Sequence, residues 1–143
     1  MFLVDTNVIS ALAPSKRQNF DQLVEWLDQA SDKLFLSVIS AAEVESGIAK
    51  AEREGATKAR QLTEWWETIE HLYAEKLLPF DLQCAHAAGQ ILDDARAHQP
   101  GFEDIAIAAT ARTHNLTVLT RNLRHFEPLG VPAVDPFAAL PGL

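Results

Sequence analysis

Short apolar runs recur along the chain, and the first of them stops abruptly at a carboxylate. Residues 2–4 are all apolar, and Asp5 follows them directly. Apolar runs without polar alternation are typical of parallel strands that are covered on both faces of a sheet. The pattern predicts strands at residues 2–4, 34–39, 76–81, 117–120 and 131–134.

Helical periodicity fills the segments between these runs. Leu23, Trp26 and Leu27, for example, fall on one side of a helix. The helices before and after Gly55 predict a helical hairpin. The predicted helices span residues 7–12, 20–30, 40–54, 57–75, 82–98 and 102–114, with a turn or short helix at 121–127. This alternation of strands and helices predicts an α/β fold with a mostly parallel central sheet covered on both faces.

Length and composition are those of an ordinary globular chain. Its 143 residues, 48% hydrophobic and 22% charged, predict a single domain over residues 1–143. No apolar run approaches the roughly 20 residues that span a bilayer, and the first residues begin a strand rather than a secretion signal. The single cysteine, Cys84, excludes an internal disulfide. We therefore expect a cytoplasmic protein without a membrane partner.

The chain is acidic, with a formal net charge of −8 at pH 7. This charge disfavours a nucleic-acid binder that relies on its own basic surface. Clustered carboxylates are the exception, because they recruit divalent cations that then face phosphate groups. The five histidines, His125 among them, show no ligand spacing, and we interpret each as a surface or core residue.

Polar residues gather at one edge of the predicted sheet. Asp5 ends the first strand, Glu43 falls in the first turn of the helix after the second strand, and Asp104 falls in the first turn of an alanine-rich helix. Thr120 and Asn122 follow the fourth strand. Ligands of open α/β sheets bind beyond the carboxyl ends of the strands, so we expect these side chains to meet there.

Each acidic residue also has a purely structural interpretation. Ser40 and Glu43 fit the S-x-x-E capping box. Asp104 would complement a helix dipole, and Asp5 or Asn7 would serve as an N-cap. Three convergent carboxylates, in contrast, repel one another unless a cation neutralises them. Hard oxygen ligands of this kind select Mg²⁺ or Mn²⁺.

Four strings lie in a fixed order between residues 3 and 126: LVDTNVIS, SVISAAEVESGI, FEDIAIAATA and VLTRNLRHF. Together they resemble the PIN-domain family, and within it the VapC and FitB-type toxins of bacterial toxin–antitoxin pairs, and the resemblance runs from Leu3 to about Phe137. The resemblance implies a three-layer, Rossmann-like α/β/α PIN domain with a protruding helical hairpin. It also implies a Mg²⁺- or Mn²⁺-dependent endoribonuclease that acts as the toxin of such a pair.

The resemblance assigns roles to individual acidic residues. Asp5, Glu43 and Asp104 match the family's catalytic residues and metal ligands. Many PIN domains carry a fourth acidic residue where this chain has Asn122, whose neutral oxygen is a further candidate ligand. Asn122 would otherwise cap the following turn through its side chain. The metal would activate a water molecule for in-line attack at the phosphorus of an RNA phosphodiester.

Polar and basic residues near the acidic edge complete the predicted site. Thr6 and Asn7 match the family's supporting polar pair, and Thr120 is grouped with them. Arg121 and Arg124 are predicted to bind the phosphates of the RNA substrate. The resemblance further implies a homodimer and a cognate small antitoxin, whose arginine or lysine would enter the acidic pocket.

Two other functions fit an aspartate at the end of a strand. One is a phospho-acceptor module or phosphatase, but the haloacid-dehalogenase type needs a second aspartate where Asn7 stands, and response regulators need an adjacent acidic pair early in the chain. The other is a non-catalytic or weakly catalytic PIN-domain partner in a DNA-binding antitoxin complex. A metal titration combined with an RNA cleavage assay separates these functions.

Overall fold

A computed structural model describes residues 1–14, 16 and 19–143, and a five-stranded sheet organises them. The strands are β1 (Phe2–Val4), β2 (Leu34–Ser37), β3 (Leu77–Leu78), β4 (Thr117–Leu119) and β5 (Ala133–Val134). They lie in the order β3-β2-β1-β4-β5, and the pairings between them are parallel. The first strand is therefore the centre of the sheet, where Phe2 pairs with Leu34 on one side and Thr117 on the other.

Helices connect the strands and cover them. They are α1 (Thr6–Ala11), α2 (Asp21–Gln29), α3 (Val38–Glu54), α4 (Ala56–Leu72), α5 (Leu82–Asp94), α6 (Phe102–His114) and α7 (Leu123–Phe126). Only Gly55 separates α3 from α4, which confirms the predicted helical hairpin. Within the described residues, none of these helices has the length and apolar character that crossing a membrane requires.

The sheet is the middle of three layers. Successive residues of a strand point to opposite faces, and helices pack on both of them. Leu3 and Val118 pack into a core cluster with residues of α5 and α6. The residues that follow them, Val4 and Leu119, pack into a second cluster with residues of α1, α2, α3 and α4, including the fully buried Trp66. The predicted α/β/α architecture is confirmed.

The boundary between β2 and α3 differs from the prediction and changes the role of Ser40. The apolar run predicts a strand to Ile39, yet β2 ends at Ser37, whose Oγ accepts the Ile39 amide at 3.0 Å and caps α3. Ser40 therefore lies inside the helix, and Glu43 falls in its second turn instead of its first. The capping-box interpretation is wrong, because Ser37 already provides the cap. Periodicity alone did not locate this boundary, since Val38 and Ile39 extend the apolar run.

Other element ends differ for local chemical reasons. Pro79 directly follows β3 and Pro132 directly precedes β5, and both strands are shorter than predicted. Proline has no N–H to donate to a sheet ladder. The helices predicted to reach residues 75 and 98 end at Leu72 and Asp94, and each is followed by a short 3-10 turn. Helix α6 has the predicted bounds.

The cap at Ser37 generates a stability prediction. Ser37→Ala should lower the free energy of unfolding by about 1 kcal/mol, the usual cost of losing an N-cap hydrogen bond. Ser37 is fully buried, so water does not replace the lost partner of the Ile39 amide. Ser46→Ala is the matched control, because Ser46 is exposed in the middle of α3 and alanine there should add a few tenths of a kcal/mol. Urea unfolding measures both, and equal effects would contradict the cap at Ser37.

Candidate active site

Asp5 is the residue at which β1 becomes α1. Its backbone N–H donates to the carbonyl oxygen of Leu119 at 2.9 Å, which extends the contact between β1 and β4 by one residue. Its side chain caps α1, because Oδ1 accepts the Thr6 amide at 2.8 Å. The N-cap interpretation of Asp5 is therefore confirmed, but it uses only one of the two carboxylate oxygens.

The second oxygen of Asp5 is held by one side chain from the first turn of α1 and one that follows β4. Thr120 donates its hydroxyl to Oδ2 at 2.8 Å, and Asn7 donates Nδ2 to the same oxygen at 3.2 Å. Asn7 also accepts the Arg121 amide on Oδ1 at 3.1 Å, so it bridges the segments that follow the two strands. Thr120 is fully buried, and Asp5 is only 5% exposed. The structure thus brings two predicted supporting residues, Asn7 and Thr120, to the Asp5 carboxylate.

Thr6 links the start of α1 to Glu43 on α3. The Thr6 hydroxyl lies 2.7 Å from Glu43 Oε1 and 2.8 Å from the hydroxyl of Ser40. A hydroxyl has one proton, and a carboxylate only accepts, so Thr6 donates to Glu43 and accepts from Ser40. Ser40 is fully buried at this junction. Its hydrogen bond with Thr6 gives this buried hydroxyl a partner inside the helix, although Ser40 does not serve as the cap.

Asp104 lies in the first turn of α6, where its charge also complements the helix dipole. Its Oδ2 lies 3.2 Å from Nδ1 of His125 on α7, and the side chain is 25% exposed. Burial raises the pKa of Asp104, His125 opposes that rise, and the charge of Glu103 adds to it. His125 is on the surface, one of the two positions expected for the histidines, but its spacing in the sequence did not predict its contact with Asp104.

The three carboxylates interact electrostatically at this edge of the sheet. Burial raises the pKa of Asp5 above its ordinary value, and the hydrogen bonds from Thr120 and Thr6 oppose the rise. The negative charges of Asp104 and Glu43 raise the pKa of Asp5 further. The charges of Glu43 and Asp104 thus act on the same buried carboxylate, and the assignment of these three residues to one metal site stays a prediction.

The donor chemistry of this cluster fits a hard divalent cation. Carboxylate oxygens are the ligands that Mg²⁺ and Mn²⁺ prefer. Across residues 1–14, 16 and 19–143, no three His, Cys, Asp or Glu side chains already lie close enough together to hold a metal ion. A cation bound by these oxygens would remove the mutual repulsion of the three charges.

Asn122 begins α7 without capping it. Its backbone N–H donates to Thr120 Oγ1 at 3.0 Å, and its side chain makes no capping hydrogen bond, so the proposed side-chain cap is wrong. A cavity of about 280 Å³ lies beside Asn122, and His125 connects it to Asp104. The cavity is lined by Arg121, Asn122, Leu123, Arg124, His125 and Asp135. Both arginines that were predicted to bind RNA thus line one cavity.

Asp135 is an acidic residue at the same sheet edge that the sequence reasoning missed. It directly follows β5, just as Asp5 directly follows β1. Its Oδ1 accepts the Phe137 amide at 2.9 Å. The signal that selected Asp5, a carboxylate immediately after an apolar strand, was present for Asp135 as well.

The relationship to known proteins agrees with this geometry. The family model described as the PIN domain matches residues 2–129, which is most of the chain. The chain belongs to the PIN-domain family. The matched span contains Asp5, Glu43, Asp104 and Asn122, whereas Asp135 lies beyond it.

This PIN domain has relatives along nearly its full length. It is 35% identical to the plasmid stability protein StbB of Pseudomonas syringae pv. tomato, over 97% of this chain and 100% of StbB. It is 36% identical to the toxin FitB of Neisseria gonorrhoeae, over 96% of this chain and 99% of FitB. It is 31% identical to the VapC ribonuclease Y4jK of Sinorhizobium fredii, over 96% of this chain and 98% of Y4jK.

A solved structure shows the same fold. The crystal structure of FitAcB from Neisseria gonorrhoeae matches with a TM-score of 0.83 and 36% identity, over 96% of this chain and 99% of that chain. The resemblance to VapC and FitB-type toxins that the four sequence motifs indicated is confirmed by these relatives.

The raised pKa of Asp5 predicts how pH affects the stability of this PIN domain without metal. Below the ordinary pKa of 3.8 the carboxyl is protonated in both the folded and unfolded states, so its burial carries no ionic cost. Stability is then lost as the pH rises from 3.8 through the higher folded-state pKa, because only the unfolded state ionises freely. Asp5→Asn does not ionise, so its unfolding free energy relative to wild type should increase over that interval and then level off.

Urea unfolding at a series of pH values in the presence of a chelator measures this difference. Asp32→Asn is the control, because it removes a carboxylate at an exposed position outside the site. A difference for Asp5→Asn that stays flat or falls with rising pH would show that the Asp5 carboxylate is not destabilised by burial.

Proposed function

We propose that this PIN domain is the ribonuclease toxin of a toxin–antitoxin pair, and that Asp5, Glu43 and Asp104 form its catalytic metal site. The observation that most directly supports this proposal is the buried Asp5 carboxylate, whose pKa is raised in part by the charges of the other two acids. A buried carboxylate with a raised pKa that lies beyond the end of a strand is typical of a functional site. The relatives support the activity, since FitB is a toxin and Y4jK is a VapC ribonuclease.

PIN-domain ribonucleases generally depend on divalent metal ions. For this chain we assign Mg²⁺ or Mn²⁺, because its candidate ligands are hard oxygens. Asp5 and Asp104 would hold the ion most directly, Glu43 would complete the acidic set, and Asn122 is the further candidate ligand. When bound, the ion supplies positive charge for the scissile phosphate and lowers the pKa of an attacking water molecule.

The chain's own residues keep each carboxylate in position for this task. Thr6 holds Glu43 through Oε1, so Oε2 stays available for another partner. His125 holds Asp104 through Oδ2, so Oδ1 stays available in the same way. Outer contacts of this kind orient the ligands of metal sites and tune their affinity.

The proposed partners are RNA as substrate, a cognate small antitoxin and a second copy of this PIN domain. Without a cation, the acidic cluster offers negative charge to an arginine or lysine of the antitoxin. The basic side chain and the metal ion would then compete for the same carboxylates. Such competition would inhibit the nuclease by removing its metal.

A non-catalytic role is the second candidate function. It is favoured by one observation, that the carboxylates of the described chain do not yet form a closed set of metal ligands. In that case Asp5, Glu43 and Asp104 would serve only to dock a basic side chain within a DNA-binding antitoxin complex. RNA cleavage by the purified protein decides between the two functions.

Cleavage should depend on each of the three carboxylates. Asp5→Asn, Asp104→Asn and Glu43→Gln should each lower the rate of RNA cleavage in Mg²⁺ or Mn²⁺ by more than about a hundredfold. Even outer-shell partners of metal ligands are typically worth ten- to a hundredfold, so a ligand itself should be worth more. A single-turnover assay on a labelled RNA measures the rate.

Glu45→Gln is the matched control for Glu43→Gln, because Glu45 is exposed on the same helix. Glutamine at position 43 still offers an oxygen to the Thr6 hydroxyl, so the melting temperature should stay close to that of wild type. Normal cleavage by Glu43→Gln would give Glu43 a structural role only, and no cleavage by the wild-type protein would favour the non-catalytic function.

Asn122 should weaken metal binding relative to a carboxylate at the same position. Asn122→Asp is nearly isosteric and adds a negative charge, so it should lower the Mg²⁺ concentration at half-saturation by roughly tenfold. Asn122→Ala removes the side-chain oxygen and should raise that concentration. Thermal unfolding at increasing Mg²⁺ measures the midpoint, since a ligand that binds the folded state raises its stability. Equal midpoints in all three proteins would place Asn122 outside the metal site.

A further inference from the structure

Arg121 is attached to the acidic cluster through its backbone. Its N–H donates to Asn7 Oδ1 at 3.1 Å, and Asn7 in turn donates to the Asp5 carboxylate at 3.2 Å. Arg121 follows the fully buried Thr120, which also donates to Asp5. The start of the Arg121 side chain is therefore fixed relative to the acidic centre.

Aromatic rings hold the other end of the Arg121 side chain. The central carbon of the guanidinium lies 4.2 Å from the ring centroid of Phe137 and 5.9 Å from that of Phe20. The two rings meet edge to face, with centroids 5.1 Å apart and planes at 84°. A guanidinium that stacks on a ring keeps the N–H donors of its plane free for another partner.

The two arginines of this cavity have no acidic partner among the residues that the structure describes. Neither Arg121 nor Arg124 lies within 4.0 Å of a carboxylate there, although the chain carries 20 acidic residues. Asp135 also lines the cavity, but its Oδ1 accepts the Phe137 amide. Two guanidinium groups without an acidic partner among the described residues, one of them oriented by Phe137, indicate an anion from outside the chain.

We propose that Arg121 and Arg124 form a phosphate-binding subsite for the RNA backbone beside the acidic centre, and that Phe137 is the positioning residue for Arg121. The proposal rests on the ribonuclease function proposed above, and it concerns a phosphate next to the one that is cleaved. The planar fork of arginine matches two phosphate oxygens. The cavity, at about 280 Å³, is far larger than the roughly 30 Å³ that one water molecule occupies.

The stacking geometry favours a phosphate over a nucleobase as the ligand. The guanidinium already occupies the space over the Phe137 ring, 4.2 Å from its centroid, so a base would have to displace it in order to stack there. The in-plane N–H donors, in contrast, remain open, and they recognise phosphate in any nucleotide sequence. The subsite should therefore contribute affinity and register on RNA without base specificity.

The test is the salt dependence of RNA binding by the full chain carrying Glu43→Gln, in Mg²⁺. A labelled single-stranded oligouridylate is titrated at several KCl concentrations between about 50 and 200 mM and followed by fluorescence anisotropy. Arg121→Gln and Arg124→Gln should each weaken binding and reduce the slope of log K against log salt by roughly 0.7, the value for one phosphate contact on a single strand. Arg53→Gln, at an exposed position near the end of α3, should leave the slope unchanged.

Substitutions of Phe137 distinguish a role in positioning Arg121 from a role in stabilising the fold. Phe137→Leu should weaken RNA binding because Arg121 loses its stacking partner, whereas Phe137→Tyr keeps a ring and should restore the wild-type affinity. Melting temperatures of all variants are measured alongside. Wild-type slopes in both arginine variants, with only a lower melting temperature, would overturn the subsite and make the stack purely structural.

Two further outcomes would also overturn the proposal. An equal change in slope with Arg53→Gln would mean that the arginines contribute only diffuse charge. Loss of binding to the antitoxin with unchanged RNA binding would make this surface a protein contact. Absence of RNA cleavage by the wild-type protein tests the proposed function separately, because the anisotropy measurement does not require cleavage.

Discussion

The burial of the Asp5 carboxylate constrains the whole functional edge of this PIN domain. A buried charge is tolerated only when hydrogen-bond donors satisfy it, and here Thr120, Asn7 and the Thr6 amide do so. These donors come from the end of β4 and the start of α1. The hydrogen bonds that stabilise Asp5 therefore also fix how β1, β4 and α1 meet. Burial nevertheless outweighs them, since the pKa of Asp5 remains raised, and the site is left favouring a proton or a cation.

The other two carboxylates are held by a hydroxyl and an imidazole. Thr6 donates its hydroxyl to Glu43, and the exposed imidazole of His125 contacts Asp104. No lysine or arginine pairs with any of the three acids within the described part of the chain. A guanidinium in such a contact would have neutralised the cluster and removed its attraction for a divalent ion. The geometry thus keeps these carboxylates ordered but electrostatically unsatisfied.

Aromatic stacking explains how basic groups persist so close to this negative centre. Arg121 directly follows Thr120, which donates to Asp5, and a flexible arginine at that position would be drawn to the carboxylates. The ring of Phe137 instead keeps the guanidinium 4.2 Å from its centroid, beside the cavity. The acidic and basic groups therefore remain distinct neighbouring surfaces, one suited to a cation and the other to an anion. The fold achieves this separation by packing the segment after β5 against residues that precede α2.

The sequence by itself determined the layered fold and the three acidic positions. Apolar runs of strand length alternate with helical periodicity, and the need to bury those runs on both faces leaves an α/β sandwich. Asp5 and Asp104 were identifiable because they stand at a strand end and a helix start, where polar groups reach a sheet edge. Asp135 also directly follows an apolar strand, but it was not among the predicted site residues. The sequence did not place the start of α3, because Val38 and Ile39 suit a strand and a helix equally.

Only the tertiary structure decided which side chains meet. The contacts Thr120–Asp5, Thr6–Glu43, His125–Asp104 and Arg121–Phe137 each join separate elements of the chain. Their geometry depends on the order β3-β2-β1-β4-β5, which brings β4 beside β1 although more than half the chain separates them in sequence. Local periodicity carries no information about that order. The chemistry of the site was therefore present in the residue types, but its arrangement required the sheet to form, because hydrogen bonds and stacking act only over a few ångströms in space.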